Sequence, residues 1–278
     1  WKDADEQIST CRSKIEEIKA ETEKAAEKRK KALVIAAPIV CACIAFAIIF
    51  ITVIIPKQNY NAAVEKLGQE LADKLYTAEI GDAFTFGAYE QDNNESNGQE
   101  DIEWLVLAKE KTRILVISKY ALDCKPYNTS RTDITWETCT LREWLNNDFI
   151  NSAFSADEKS IISVTTVSAD RNPEYNINPG NATRDQVFLL SVTEVDKYFS
   201  SNGVRQCGPT DYAVANGAWK GDKGGYWVWL RSPGIDPDFA ASVSYDAYDS
   251  ADVSPFCIGK PANTPGGGVR PAIWINLK

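Results

Sequence analysis

Histidine and methionine are both missing from this sequence. The first absence excludes Ser-His-Asp and Cys-His catalysis and every metal site that needs an imidazole. The second, with Trp at position 1, leaves no initiator, so the chain is expected to be a piece of a longer reading frame or a processed product. Positive charge is also scarce: 30 Lys and Arg stand against 39 Asp and Glu, a net charge of −9. A nucleic-acid-binding surface usually carries a basic excess, so nucleic acid is not an expected partner. A length of 278 residues suits one large domain or two small ones.

Charge vanishes altogether from Ala32 to Pro56 (ALVIAAPIVCACIAFAIIFITVIIP). At helical rise this run is long enough to cross a hydrocarbon core of ~30 Å. A buried helix of that length in a soluble core would carry a polar face. A cleaved signal peptide would be shorter, would not follow a long polar segment, and would end on small residues. Lys28, Arg29, Lys30 and Lys31 abut the run on its N-terminal side, and Lys57 stands alone on the other. The positive-inside rule therefore places residues 1–31 in the cytoplasm and 57–278 outside. Residues 1–31 hold 9 basic and 8 acidic side chains, so the acidic excess belongs to the outer part.

Ile8, Cys11, Ile15, Ile18, Thr22 and Ala25 recur in steps of three and four. A homodimeric coiled coil through residues 8–25 competes here with a solvated, charge-laced helix. The second reading is preferred, because stable coiled coils sustain more heptads. Ala63, Leu67, Leu71 and Leu75 predict a further amphipathic helix over 57–76.

Beyond it the pattern changes. Phe84–Tyr89, Ile102–Ala108 and Arg113–Ser118 read as strands, with Glu90–Asp101 as a loop. Thr140/Glu143, Ser155/Glu158 and Ser191/Glu194 have capping-box spacing and predict three helix starts. Tyr226–Arg231 and Val269–Leu277 read as strands, and Ala240–Val253 alternates small and polar residues. The expected fold class is α+β.

The motifs of this outer part occur in a specific order: FGAYEQDNN at 86–94, IEWLVL at 102–107, TWETCTLREWLN at 135–146, AFSADEK at 153–159, FLLSVTE at 188–194, WLRSPG at 229–234 and GVRPAIWINL at 268–277. In these it resembles an uncharacterised bacterial extracellular domain family. The WLR…GVR ending is also similar to the C-type-lectin-like fold of formylglycine-generating enzymes, shared by the variable proteins of diversity-generating retroelements. The resemblance implies a C-type-lectin-like domain over 80–278. Those enzymes are oxidases that rely on a reactive cysteine pair or a copper-binding thiol site. Here only Cys207 and Cys257 lie in the C-terminal half, far apart in sequence, and the catalytic pattern is not matched.

In the variable proteins, the segment between Trp229–Arg231 and Gly268–Arg270 would carry the diversified positions. Residues 239–252 use only residue types that adenine mutagenesis of Asn codons yields, and Ala247 replaces a Gly common in the family. An ordinary polar hairpin would use similar residues, so both readings stand.

Seven Trp residues fall in the outer part. Trp104, Trp144, Trp229 and Trp274 are expected in the core. Trp219, in a Gly-bordered loop, is expected to meet ligand. Arg231 and Arg270 interrupt apolar runs and read as scaffold residues paired to carboxylates or carbonyls. The remaining candidate ligand contacts are Asp238, Phe239, Ser242, Ser244, Tyr245, Tyr248, Asp249, Ser250 and Asp252: aromatic anchors among adaptable polar neighbours. No catalytic residue and no resident metal or cofactor is expected. Calcium is the ion that Asp92, Asn94, Ser96, Glu100 and Asp101 would suit, but the EF-hand spacing fails and a solvated loop is favoured. Cys124, Cys139, Cys207 and Cys257 allow several disulfide pairings or none.

The expectations combine into a cytoplasmic helix (1–31), a transmembrane helix (32–56), a helical stalk (57–79) and an extracellular lectin-like domain (80–278). The expected function is cell-surface binding of a protein or glycan through loops 236–265. The alternatives are a membrane-anchored enzyme of the same fold and a structural or sensor envelope protein.

Overall fold

The computed structural model describes residues 14, 16–30, 43–67, 69–199, 205, 207–220, 226–245 and 259–277. The chain divides into two units, Trp1–Gln58 and Asn59–Lys278.

The first unit is helical wherever it is described. Residues 16–30 and 43–49 are α-helical, and Phe50–Ile54 forms a π-helical turn before the helix Ile55–Leu67 begins. Pro56 explains that turn. It has no N–H to donate and its ring crowds the carbonyl four residues back, and a widened turn relieves both problems. The Ile55 N–H accordingly reaches back to the Phe50 carbonyl. Ile44, Phe46, Ile48, Ile49, Phe50, Ile51 and Val53 are all exposed. Among the described residues no helix is long and apolar enough to cross a membrane. Residues 31–42, which include the opening of the apolar run, lie outside the described residues, as do most of 8–15.

The second unit is α+β, as the sequence leads one to expect. The helix Gln69–Thr77 leads into β1 (Ala83–Tyr89), β2 (Glu100–Lys109) and β3 (Arg113–Ser118), an antiparallel meander close to the expected strands. β12 (Ala272–Asn276) pairs with β3, and β7 (Val187–Phe188) pairs with β12, giving a five-stranded sheet in the order β1-β2-β3-β12-β7. A second sheet is built around the hairpin of β8 (Tyr226–Pro233) and β9 (Phe239–Tyr245). β10 (Lys260–Pro261), β11 (Gly268–Val269) and β4 (Asp123–Cys124) complete it in the order β10-β9-β8-β11-β4. β5 (Thr165–Val167) and β6 (Thr183–Asp185) form a separate ribbon.

Two expectations are corrected. The predicted last strand is two strands in two sheets: Gly268–Val269 joins the second sheet, and Ala272–Asn276 joins the first. The break falls at Arg270-Pro271, where proline cannot supply a ladder donor. The helix Thr140–Trp144 is capped by Cys139, whose Sγ accepts from the Arg142 N–H at 3.4 Å. Thr140 is the first helical residue, and its hydroxyl accepts instead from the Thr129 N–H at 3.2 Å. The other two capping boxes form as expected, at Ser155/Glu158 and Ser191/Glu194.

One hydrophobic cluster runs through the second unit. Trp104 and Trp229 are among its largest fully buried side chains. Each such residue contributes roughly 1.5–3 kcal/mol by leaving water. Trp144 and Trp274 pack against this cluster, as expected of core residues. Both are half-buried, with Lys125 4.5 Å above the Trp144 ring and Arg113 4.1 Å above that of Trp274. A cation on one face leaves the ring partly open to solvent while the other face packs.

Candidate functional site

The polar residues of the sequence motifs come first, because they are the natural candidates for chemistry. Most of them are fasteners. Asp185 is buried at the end of β6 and takes hydrogen bonds from two motif residues, Trp136 and Arg142, and from Thr183. Trp136 Nε1 donates to it at 2.9 Å, the Thr183 hydroxyl at 2.6 Å, and the Arg142 guanidinium meets it in a two-pronged pair at 2.7 Å. Asn146 holds β7 from both sides: its amide donates to the Val187 carbonyl at 2.8 Å and its oxygen accepts the Gln186 and Val187 N–H groups.

Arg231 is buried on β8 and satisfies its guanidinium on Glu194, on Asp170 at 2.8 Å, and on the carbonyls of Leu189 and Ser168. Glu194 also closes the capping box on Ser191, so this one carboxylate joins a helix start to the second sheet. Arg270 donates to the Ser118 and Arg205 carbonyls, each at 2.9 Å. Trp229 donates to the Lys125 carbonyl at 2.9 Å. Arg231 and Arg270 are thus paired to carboxylates or carbonyls, the kinds of partner expected for them. The Tyr89 hydroxyl donates to the buried Asp123 at 2.7 Å. Burial first, and the Asp123 carboxylate second, push the Tyr89 phenol well above its usual range, so it stays protonated.

Among the described residues, the expected ligand contacts fall in separate places. Asp238 and Phe239 sit at the turn between β8 and β9, where Arg131 pairs with Asp238 at 2.6 Å and lies 5.8 Å above the Phe239 ring. Ser244 and Tyr245 lie at the other end of β9, opposite Trp227 and Tyr226. At ~3.3 Å per residue the two ends are roughly 20 Å apart. Ser242 is in register with Trp229 and is only 3% exposed, so it belongs to the sheet interior, while Ser244 is exposed. Tyr248, Asp249, Ser250 and Asp252 lie outside the described residues.

Trp219 is 48% exposed. Its loop is held in place by its own N–H, which donates to the Gly266 carbonyl at 3.1 Å. The neighbouring Gly267 lies against Trp227 and Trp229 so tightly that a Cβ there would fall 2.1 Å from Trp229 Nε1. Trp227 and Trp229 meet edge to face at 4.7 Å, and Lys260 lies 5.0 Å above Trp227. Trp227 and Trp229 are themselves buried, so Trp219 is the exposed indole of this group. Sequence reasoning missed Lys260 and the role of Gly267. The Gly266–Gly268 run was the available signal, because backbone approaches an aromatic this closely only without a side chain.

A groove of about 600 Å³ runs between the helix Gln69–Thr77 and β1, lined by Leu71, Lys74, Asp101 and Glu158 among others. Gly87, at φ +69°, is part of its wall and donates to Glu158 at 3.1 Å. Sequence reasoning did not point to it.

In the Glu90–Asp101 loop, Glu90, Asp92 and Glu100 bring carboxylate oxygens within 4.8 Å of one another. Much of their capacity is used within the loop: Glu100 accepts the Gln91 N–H at 2.7 Å, and Glu90 and Asp92 both accept the Asn94 N–H at 2.8 Å. Of the residues expected to suit calcium, Asp92 and Glu100 belong to this trio, which Glu90 completes.

Cys124, Cys139 and Cys207 are free thiols, and Cys257 lies outside the described residues. Burial pushes the Cys139 thiol up to about 12 and raises that of Cys207. Both resist becoming the thiolate that would react.

Residues 111–277 match the family described as Domain of unknown function (DUF6273). The chain belongs to the DUF6273 family. The match begins at the β2–β3 turn, so β1 and β2 precede the matched part of this DUF6273 chain. Over 177 residues the chain is 26% identical to a protein of Yersinia pestis bv. Antiqua (strain Angola) named xylose isomerase; the match covers 60% of this chain and 38% of that protein. The chain thus spans well under half the length of that relative. No solved structure matches.

Proposed function

We propose that this DUF6273 chain is a membrane-anchored, cell-surface binding protein whose outer domain has a C-type-lectin-like fold and recognises a protein or glycan. The observation that carries the reading is Trp219: a large indole, 48% exposed, on a loop whose backbone is tied to Gly266. An exposed indole offers a flat apolar ring and a polar N–H, the combination enriched at binding interfaces. Glycan rings and protein side chains both stack on such a face. Residues 246–258, between β9 and β10, would add the selective contacts, and the stretch 239–252 suited to retroelement diversification runs into them from β9.

The anchor is supported by the charge-free run Ala32–Pro56 and by the exposed apolar side chains of 44–53. Thr52, a polar residue in that helix, donates to the Ile48 carbonyl at 2.6 Å, so it leaves no unmet donor for lipid. The enzyme alternative draws its chemistry from Cys207 and Cys257; burial raises the pKa of the Cys207 thiol, which argues against it, and Cys257 lies outside the described residues.

The test is capture by the purified full chain in detergent on glycan and protein arrays, followed by affinity measurement with Trp219→Ala. A reproducible ligand whose affinity falls at least tenfold in the variant is expected. Equal affinity in the variant, or no ligand on either array, overturns the reading. The diversification part requires a reverse transcriptase and a near-identical template repeat, differing only at adenines, beside the reading frame; without both it is wrong.

A further inference from the structure

Arg270 sits where the chain leaves the second sheet for the first. The crossing buries its guanidinium: the residue is 4% exposed. Nε donates to the Ser118 carbonyl and Nη1 to the Arg205 carbonyl, each at 2.9 Å, and the Phe199 ring lies 5.6 Å from the guanidinium carbon. Nη2 makes no hydrogen bond. Arg270 also lines a cavity of about 10 Å³, shared with Arg205 and closed by apolar side chains that include Val195, Phe199 and Leu230.

The charge balance around this cavity is uneven. Arg205 pairs with Asp196 at 2.9 Å. Among the described residues no carboxylate comes within ion-pair distance of Arg270. Carbonyl partners answer its donors, but they do not neutralise its charge. Arg231, equally buried, is met by both Asp170 and Glu194. A buried cation without a counter-charge, and with one donor unmade, is unfavourable. A space of this size admits a single water-sized particle.

We propose that this cavity is a site for one small monovalent anion of the halide class, held by Arg270 Nη2. Chloride is the common small member of that class. It accepts the free donor, neutralises the guanidinium, and ties the β11–β12 crossing to the Arg205 segment and the helix Val192–Tyr198. The domain is then more stable in halide than in a large anion that cannot enter.

The test uses the full chain in detergent at fixed ionic strength, with sodium chloride or bromide exchanged against sodium gluconate. The melting temperature is expected to rise by a few degrees for each tenfold increase in halide above half-saturation, and the rise is lost in Arg270→Gln. Crystals grown in bromide are expected to show an anomalous peak within hydrogen-bonding distance of Arg270 Nη2. That measurement on the unaltered chain stands even if Arg270→Gln does not fold. A water at that position with no bromide signal, or a melting temperature indifferent to halide, overturns the proposal.

Discussion

The two five-stranded sheets of the second unit are held together differently. In the first, β2, β3 and β12 are long enough to stabilise one another through their own ladder. In the second, the β8–β9 hairpin is flanked by three strands of two residues each. So short a strand makes few ladder bonds, and side chains must do the rest: Arg231 on Glu194 and Asp170, Trp229 on Lys125, and backbone glycine against both indoles. The candidate binding face is built on this second sheet. A rigid ladder thus carries a sheet whose shape depends on a few side chains, an arrangement suited to varying the surface without losing the core.

If that contrast is right, the clamps of the second sheet are its weakest points. Arg231→Ala strands two carboxylates and two carbonyls, and is expected to cost about 3–5 kcal/mol in urea denaturation. A loss under 1 kcal/mol would mean that the second sheet does not depend on its clamps. Gly267→Ala drives a methyl into Trp229 and is expected to cost about 2–3 kcal/mol. Gly87→Ala applies the same test to the first sheet. There a Cβ would lie 2.5 Å from Phe154 at φ +69°, and a loss of similar size is expected, with the change in tryptophan fluorescence centred on Trp104, whose indole donates to Phe86 beside the bulge.

Alkali separates the same interior from its surface. Cys139 has its folded pKa raised from 9.0 to about 12 by burial, and Tyr89 and Tyr127 are raised in the same direction. The unfolded chain gives up these protons first, so their contribution is complete below about pH 9 and is lost as pH rises towards 12. Unfolding free energy should decline across that window. Cys139→Ala should flatten part of the decline and leave the tyrosine part. The smallest of these effects is expected at a helix start: Ser155→Ala removes a cap far from the second sheet, costing about 1 kcal/mol.

Much of the scaffold was legible because its signals are local. Strand alternation in β1–β3 and the boxes at Ser155 and Ser191 need only near neighbours. Thr140 misled because a cysteine one residue earlier does the capping, and sulfur is an uncommon cap. The two-residue strands carry no periodicity to read. The last strand was taken as continuous although Pro271 stood within it as a warning. The site was less legible for a geometric reason. Asp238, Phe239, Ser244 and Tyr245 are neighbours in sequence, but an extended strand holds its two ends roughly 20 Å apart. Trp219 was singled out by its glycine-bordered loop, whereas Lys260 came to Trp227 only through the pairing of β10 with β9.

The account rests on a division between motif residues that fasten and an exposed indole that binds. Trp219→Ala tests it most directly, with ligand affinity and unfolding free energy measured on the same preparation. The account predicts an affinity loss of at least tenfold with stability unchanged to within ~0.5 kcal/mol. Undiminished affinity, or a loss of binding that merely follows a loss of stability, would contradict it.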